Sequence, residues 1–494
     1  MEEQVNKIKK EYENKEKKIQ EKFDLINKEN EMYKSKINEI KNKEKQINKK
    51  ISFLEDKENL IENEHKITKE EREKFKIDIE ENKKIKEENE KLKQKNNGLE
   101  NKKKNNLNKP PLAAPKDIDP IYLYDRPTLI GLNNIGATCF MNSTLQCLSQ
   151  TKALTNYFLK EKNKDKIINN NIALKNKNIP QLCPVYLELI QKLWDKNGNK
   201  SFSPYNFMNT VEKMNPLFKQ GQAGDSKDFI IFILEQFHKE LKKSVKQNNS
   251  TTNTQPLNQY DKYNAFNHFY EEFQEEYSII SYVFFGFNET TNVCVYCKNY
   301  YNSRGLNNPI CYNYGIFNCL IFPLEEVKKM KNNTMQFNNY ININQNNRVS
   351  IYDCFYYNQK TDLFTGDNKN FCNNCKQLFD SLYTSKIFSS PRVLILILNR
   401  GKDNIYNVKI DFTETIDITS FVSLKDKPQM IYNLYGVITH IGQSGPNAHF
   451  VASCKSPIDN KWYRYNDALV SSINNLQKDV IDFGTPYILF YQKK

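Results

Sequence analysis

No stretch of this chain reaches the roughly 18 consecutive apolar residues that a membrane-spanning helix requires. No basic-then-apolar leader opens it, which argues against secretion. Histidine is scarce, with five in 494 residues, so chemistry that needs an imidazole has few candidates. Residues 1–108 lack proline and hold one glycine, Gly98, so nothing in them breaks a helix. What the chain does have is lysine, giving a formal net charge of +14. Those lysines are scattered among Asn and Glu with no basic–aromatic block, a pattern that argues against nucleic acid as a partner. The eleven cysteines are an odd number and include two CxxC pairs. Without a leader, that usage points to thiol and metal chemistry and not to a disulfide framework.

Val5, Tyr12, Ile19, Ile26, Tyr33, Ile40, Ile47, Leu54 and Ile61 recur every seven residues, one seam of a heptad pattern. The second seam is poor, because Ile8, Ile37 and Ile51 alternate with Lys15, Lys22 and Lys36. Residues 1–108 therefore read as a coiled-coil or charged helical arm that pairs weakly with itself and offers a seam to a partner. A stiff linker over 109–125 is marked by Pro110, Pro111, Pro115 and Pro120. From 126 to 494 aromatic and β-branched residues become common. Val185–Trp194 and Phe229–Leu241 carry helical apolar spacing, and Ser203-Pro204 reads as an N-cap followed by a first-turn proline. Ile279–Phe285, Val393–Leu398, Val408–Phe412, Met430–Thr439, Phe450–Ser453, Trp462–Tyr465 and Tyr487–Tyr491 read as strands. Helices come first and strands later, so the fold class is α+β. Polar stretches near Gln247–Gln259 and Met330–Asn347 read as surface insertions.

One segment stands out. In Asn134-Ile135-Gly136-Ala137-Thr138-Cys139 a Gly- and Asn-rich turn delivers a cysteine to the start of a helix expected over Phe140–Leu148. A thiol there meets the positive end of the helix dipole, which favours the nucleophilic thiolate. By itself a lone cysteine is more often a small core residue. A cysteine nucleophile also needs a base and a group to orient that base. His65 falls in the arm, and His238 and His268 lie in polar surroundings. His440 and His449 flank the turn Ile441–Asn447, the first ending an apolar strand and the second beginning one. Downstream runs Lys461-Trp462-Tyr463-Arg464-Tyr465-Asn466-Asp467.

These segments resemble the Cys and His boxes of the ubiquitin-specific proteases, papain-like deubiquitinases. The resemblance implies Cys139 as nucleophile, His449 as general base and Asn466 as the residue that orients the imidazole, its side-chain oxygen accepting from Nδ1–H. Asp467 is the rival for that last role, since neighbours on a strand point to opposite faces and only one can face His449. Asn134 matches the position whose side-chain amide helps hold the oxyanion, with the Cys139 N–H beside it, and its left-handed turn geometry is a second reason for an Asn there. His440 matches a supporting histidine. Asp225, in Gln222–Phe229, matches the acid that meets the basic C-terminal tail of ubiquitin.

Cys294-Val295-Tyr296-Cys297 and Cys372-Asn373-Asn374-Cys375 can supply four thiolates to a tetrahedral Zn²⁺. Their separation exceeds that of an ordinary zinc ribbon but suits the fingers of the same family, expected over roughly 276–390. No partner spacing is legible for Cys147, Cys183, Cys311, Cys319, Cys354 and Cys454, which read as packing residues. The resemblance covers 126–494, with Ser350–Cys354, Pro391–Arg400 and Pro486–Tyr491 fitting in order. It departs at Ala448, where the family usually has Gly. It implies a thumb, palm and zinc-bearing fingers, and hydrolysis of the bond after the C-terminal glycine of ubiquitin in ubiquitinated proteins. It also implies an intracellular setting, cytoplasmic or nuclear. Two rivals of other classes stand beside it, a ubiquitin-binding adaptor without turnover that acts through its coiled coil and a mainly coiled-coil structural protein. Within the enzyme class the alternative is a protease for a related modifier.

Overall fold

The computed structural model describes residues 120–494, apart from 176–178, 245–256, 275, 308, 338–347, 402–407, 425–428 and 443–447, together with Lys15, Glu16, Lys17, Gln20, Lys22 and Asp24. The chain divides into two units, Met1–Ala114 and Pro115–Lys494. In the first, the six described residues are helical and exposed, and Gln20 Nε2 donates to Asp24 Oδ1 at 3.0 Å. The heptad seam and Pro110, Pro111 and Pro115 lie outside the described residues, as do most of the Gln247–Gln259 stretch and the second half of Met330–Asn347. The first half of the latter belongs to a helix, Leu324–Phe337.

In the second unit helices come first. Helix α1 (Cys139–Ser149) is buried along its whole length. It lies against the sheet on one side and against α2 (Ser226–Leu241) on another. A helix so enclosed must satisfy its polar side chains internally. Thr144 Oγ1 donates to the Phe140 carbonyl at 2.8 Å, and Gln146 Nε2 donates to the Ile130 carbonyl at 2.9 Å. The helix Leu182–Leu193 appears where apolar spacing predicts it. Ser203-Pro204 is displaced by one position from expectation. Pro204 is itself the cap of Tyr205–Met214, and Ser203 Oγ instead accepts from Asn133 Nδ2 at 2.9 Å.

The main sheet contains β1 (Val393–Asn399), β2 (Ile431–Ile441), β3 (His449–Lys455), β4 (Trp462–Asn466), β5 (Leu469–Ile473) and β6 (Thr485–Lys493). Its order is β5-β4-β3-β2-β6-β1, then Leu320–Pro323, with Thr415–Asp417 also paired to β2. All neighbours are antiparallel except β1 with Leu320–Pro323. The sheet separates two cores, and β1 shows how. Ile395 and Ile397 face the helical core, while Leu394, Leu396 and Leu398 face the other. That is the two-residue period of a strand, and both faces being covered explains the unbroken apolar run.

A second, four-stranded antiparallel sheet runs Cys311–Phe317, Gly286–Cys294, Ser381–Ser389, Thr361–Phe364. The run Ile279–Phe285, expected as a strand, is a helix over Ile279–Phe284. Ser278 Oγ accepts from the amides of Ile280 and Ser281, and Ser281 Oγ accepts from Ser278 N–H, a reciprocal cap that starts the helix. An apolar run this short carries no period to tell the two forms apart. The strand expected over Val408–Phe412 shortens to Lys409–Asp411.

Candidate active site

Two left-handed residues, Gly136 (φ 116°) and Ala137 (φ 53°), turn the chain into α1 and make Cys139 its first residue. Thr138, the cap, gives no side-chain bond to the first-turn amides. Its Oγ1 is used upstream instead, accepting from Ile135 N–H at 3.1 Å. Asn134 braces the same turn, its Oδ1 accepting from the amides of Gly136 (3.2 Å) and Thr138 (3.1 Å). Cys139 is 8 % exposed.

His449 opens β3, whose neighbour β4 ends in Asn466. Asn466 Oδ1 lies 2.7 Å from His449 Nε2, and Cys139 interacts with the same imidazole and raises its pKa. With Nε2 held by Asn466, Nδ1 is the nitrogen left for the thiol, so the orienting bond is made at the other ring atom than sequence reasoning expects. The bond to Cys139, then that to Asn466, together with the nearby Asp467 charge, outweigh the cost of burial and raise His449 to about 9.

The strand argument for choosing between Asn466 and Asp467 does not apply as expected. β4 ends at Asn466, and Asp467 is left-handed at φ 47° in the turn to β5. Asp467 therefore also reaches the site. One carboxylate oxygen is 3.9 Å from His449 Nε2 and accepts from Asn134 Nδ2 at 3.0 Å. The other accepts from Asn142 Nδ2 at 2.8 Å. Asn142, one turn after Cys139 on α1, was not singled out from the sequence. The available signal was an Asn inside a helix, where its propensity is poor and its side chain usually needs a reason. The Asp467 turn is pressed against Gly131, where an added Cβ would stand 2.3 Å from the Ala468 carbonyl oxygen.

His440 is 3 % exposed, its ring 5.1 Å from that of Phe450, and its Nε2 has no hydrogen-bond partner among the described residues. Burial lowers its pKa, which favours the neutral ring. Phe450 in turn contacts Tyr487, at 5.5 Å between rings. Tyr487 donates its hydroxyl to Asp225 Oδ2 at 2.7 Å. Asp225 caps α2, its Oδ1 accepting from Lys227 N–H at 2.7 Å. A line of contacts thus runs from the residue after His449 to Asp225. Tyr487 carries no local signal of this role, because its partner Asp225 lies 262 residues away in sequence, at the start of α2.

The profile of the family described as ubiquitin carboxyl-terminal hydrolase matches residues 130–491, nearly three quarters of the chain. The chain belongs to the ubiquitin carboxyl-terminal hydrolase family. It is 26 % identical over 374 residues to "Ubiquitin carboxyl-terminal hydrolase 2" of Bos taurus, an alignment covering 74 % of this chain and 55 % of that one. It is 25 % identical over 406 residues to "Probable ubiquitin carboxyl-terminal hydrolase 4" of Schizosaccharomyces pombe, covering 77 % and 61 %. The chain therefore spans little more than half the length of these relatives. Among solved structures, a chain of the SAGA Ubp8/Sgf11/Sus1/Sgf73 DUB module bound to ubiquitin aldehyde is similar at TM-score 0.49 and 21 % identity, covering 75 % of this chain and 70 % of that one.

In this chain the two CxxC pairs come together. The sulfurs of Cys294, Cys297, Cys372 and Cys375 all lie within 4.8 Å of one another. Cys294–Cys375 is 4.0 Å, Cys297–Cys372 3.7 Å and Cys297–Cys375 2.9 Å. Zinc–sulfur bonds of about 2.3 Å in a tetrahedron put sulfurs about 3.8 Å apart, so the four thiols fit that ion with an adjustment at Cys297–Cys375. Cys375 N–H donates to Cys372 Sγ at 3.5 Å and Asn374 Nδ2 to Cys297 Sγ at 3.3 Å, the kind of support that thiolate ligands receive. Of the cysteines read as packing residues, Cys147 and Cys454 meet at 3.5 Å in the helical core, between α1 and β3.

Proposed function

We propose that this chain is a thiol-dependent deubiquitinase, hydrolysing the isopeptide or peptide bond after the C-terminal glycine of ubiquitin. The observation that carries the reading is the imidazole of His449 held between Cys139 and Asn466. His449 takes the Cys139 proton, and the sulfur attacks the glycine carbonyl. The oxyanion is held by the Cys139 N–H and by Asn134 Nδ2, whose second hydrogen is not the one used toward Asp467. Protonated His449 then gives its proton to the departing lysine amine, leaving a thioester. Water enters, loses a proton to His449, and attacks the thioester, so ubiquitin leaves as a carboxylate and Cys139 is regenerated.

Asn466 keeps the ring oriented through these transfers, and Asp467 holds the Asn134 and Asn142 carboxamides in place. His440, neutral and packed on Phe450, supports the strand that presents His449. Asp225 takes a basic side chain of the ubiquitin tail. Zinc, held by Cys294, Cys297, Cys372 and Cys375, braces the four-stranded sheet as the fingers, with no part in bond cleavage. The arm over 1–108 recruits a partner through its heptad seam. Reduced cysteines and a thiol nucleophile suit an intracellular setting, cytoplasmic or nuclear.

The test is hydrolysis of ubiquitin bearing a fluorogenic C-terminal amide. Wild type should cleave it, and Cys139→Ala should bind it without turnover. Comparable turnover by the variant would move the nucleophile elsewhere.

A further inference from the structure

We propose that Lys227 is a built-in counter-ion of the Asp225 site, which the cationic segment of the substrate must displace, and that it thereby sets substrate affinity. The inference rests on the reading that Asp225 receives a basic side chain on the acyl side of the scissile bond. Lys227 Nζ lies 3.8 Å from Asp225 Oδ2 and 3.7 Å from Asp228 Oδ1, between the two acids. Its side chain is 24 % exposed and those of Asp225 and Asp228 are 34 % and 60 %, so the cluster is open to an incoming cation.

Helix stability does not account for a lysine at this point. Lys227 is the second residue of α2, where the positive end of the helix dipole repels a cation. The cap is made by the Asp225 side chain and the Lys227 backbone amide, which any residue but proline would supply. Tyr487 holds Asp225 Oδ2 in place, so the carboxylate cannot swing away from Lys227 to meet a ligand elsewhere. A substrate cation reaching this carboxylate therefore competes with Lys227 for one anionic pair. Both ion pairs are long and partly exposed, which makes displacement affordable and its effect modest.

The experiment measures KM and kcat of the full chain on fluorogenic ubiquitin at low and high salt. The variants are Lys227→Gln, Lys227→Arg, Asp225→Asn and the Asp225→Asn/Lys227→Gln double. Asn still caps the helix through its oxygen, while its Nδ2 replaces the oxygen that accepts from Tyr487. Asp225→Asn therefore removes the charge and reverses that one hydrogen bond. Lys227→Gln should lower KM about two- to fivefold at low salt with kcat unchanged, and the gain should shrink as salt screens the pairs. Lys227→Arg should behave as wild type, the gain should largely vanish in the Asp225→Asn background, and Tm of Lys227→Gln should not fall. If Asp225→Asn raises KM while Lys227→Gln leaves it unchanged or raises it, the counter-ion role is overturned. If Asp225→Asn leaves KM unchanged, the placing of the substrate cation at Asp225 fails first.

Discussion

Asn466 Oδ1 stands 2.7 Å from His449 Nε2, while the carboxylate of the next residue, Asp467, is 3.9 Å from the same nitrogen and bonded to two asparagines. Adjacent residues thus hold different partners, the first the His449 ring and the second Asn134 and Asn142.

Asn466→Ala should lower kcat by about a hundredfold, within the range that positioned acid–base groups supply. Asp467→Ala should cost less, about tenfold, and act by loosening Asn134. Steady-state kinetics on fluorogenic ubiquitin decides the order; a larger loss from Asp467→Ala would make the carboxylate the principal orienting group.

The pH profile follows from His449. Its imidazolium is held by Cys139 and Asn466 and persists up to about 9. The alkaline limb of kcat/KM should therefore fall near pH 9, and Asn466→Ala, removing one stabilising bond, should move it to lower pH. For stability the sign is the same: the contribution is fully present below the ordinary histidine value of about 6.5 and is lost as pH rises through about 9. An alkaline limb near 6.5 in the wild type would contradict the geometry.

Purified protein should carry about one zinc per chain, checked by elemental analysis. Cys297→Ser or Cys372→Ser should lower Tm and raise KM, with kcat at saturating substrate within a few-fold of wild type. Active protein free of metal would remove zinc from the account.

Gly131→Ala should destabilise the unit by about 2 kcal/mol or more, because its Cβ would meet backbone and not a movable side chain. Since the displaced segment includes Asp467, activity should fall beyond what thermal unfolding explains. Urea unfolding and kcat on the same preparation separate the two effects.

Much was legible along the chain. The long apolar runs of β1, β2 and β6 announced strands, and the turn before Cys139 announced a helix start, because both signals are local. The CxxC pairs also declared their chemistry at short range. Sequence could not decide the run Ile279–Phe284, where a two-serine cap outweighed β-forming side chains. It could not decide which ring nitrogen Asn466 meets, or that Asp467 leaves the strand, since both depend on where β4 stops. Nor could it bring Tyr487 to Asp225, or set Lys227 between two acids. Residue type and local pattern determined which groups were able to react. Which of them meet was decided by strand pairing across β2, β3, β4 and β6 and by the burial of α1 against it, interactions between segments that no local pattern encodes.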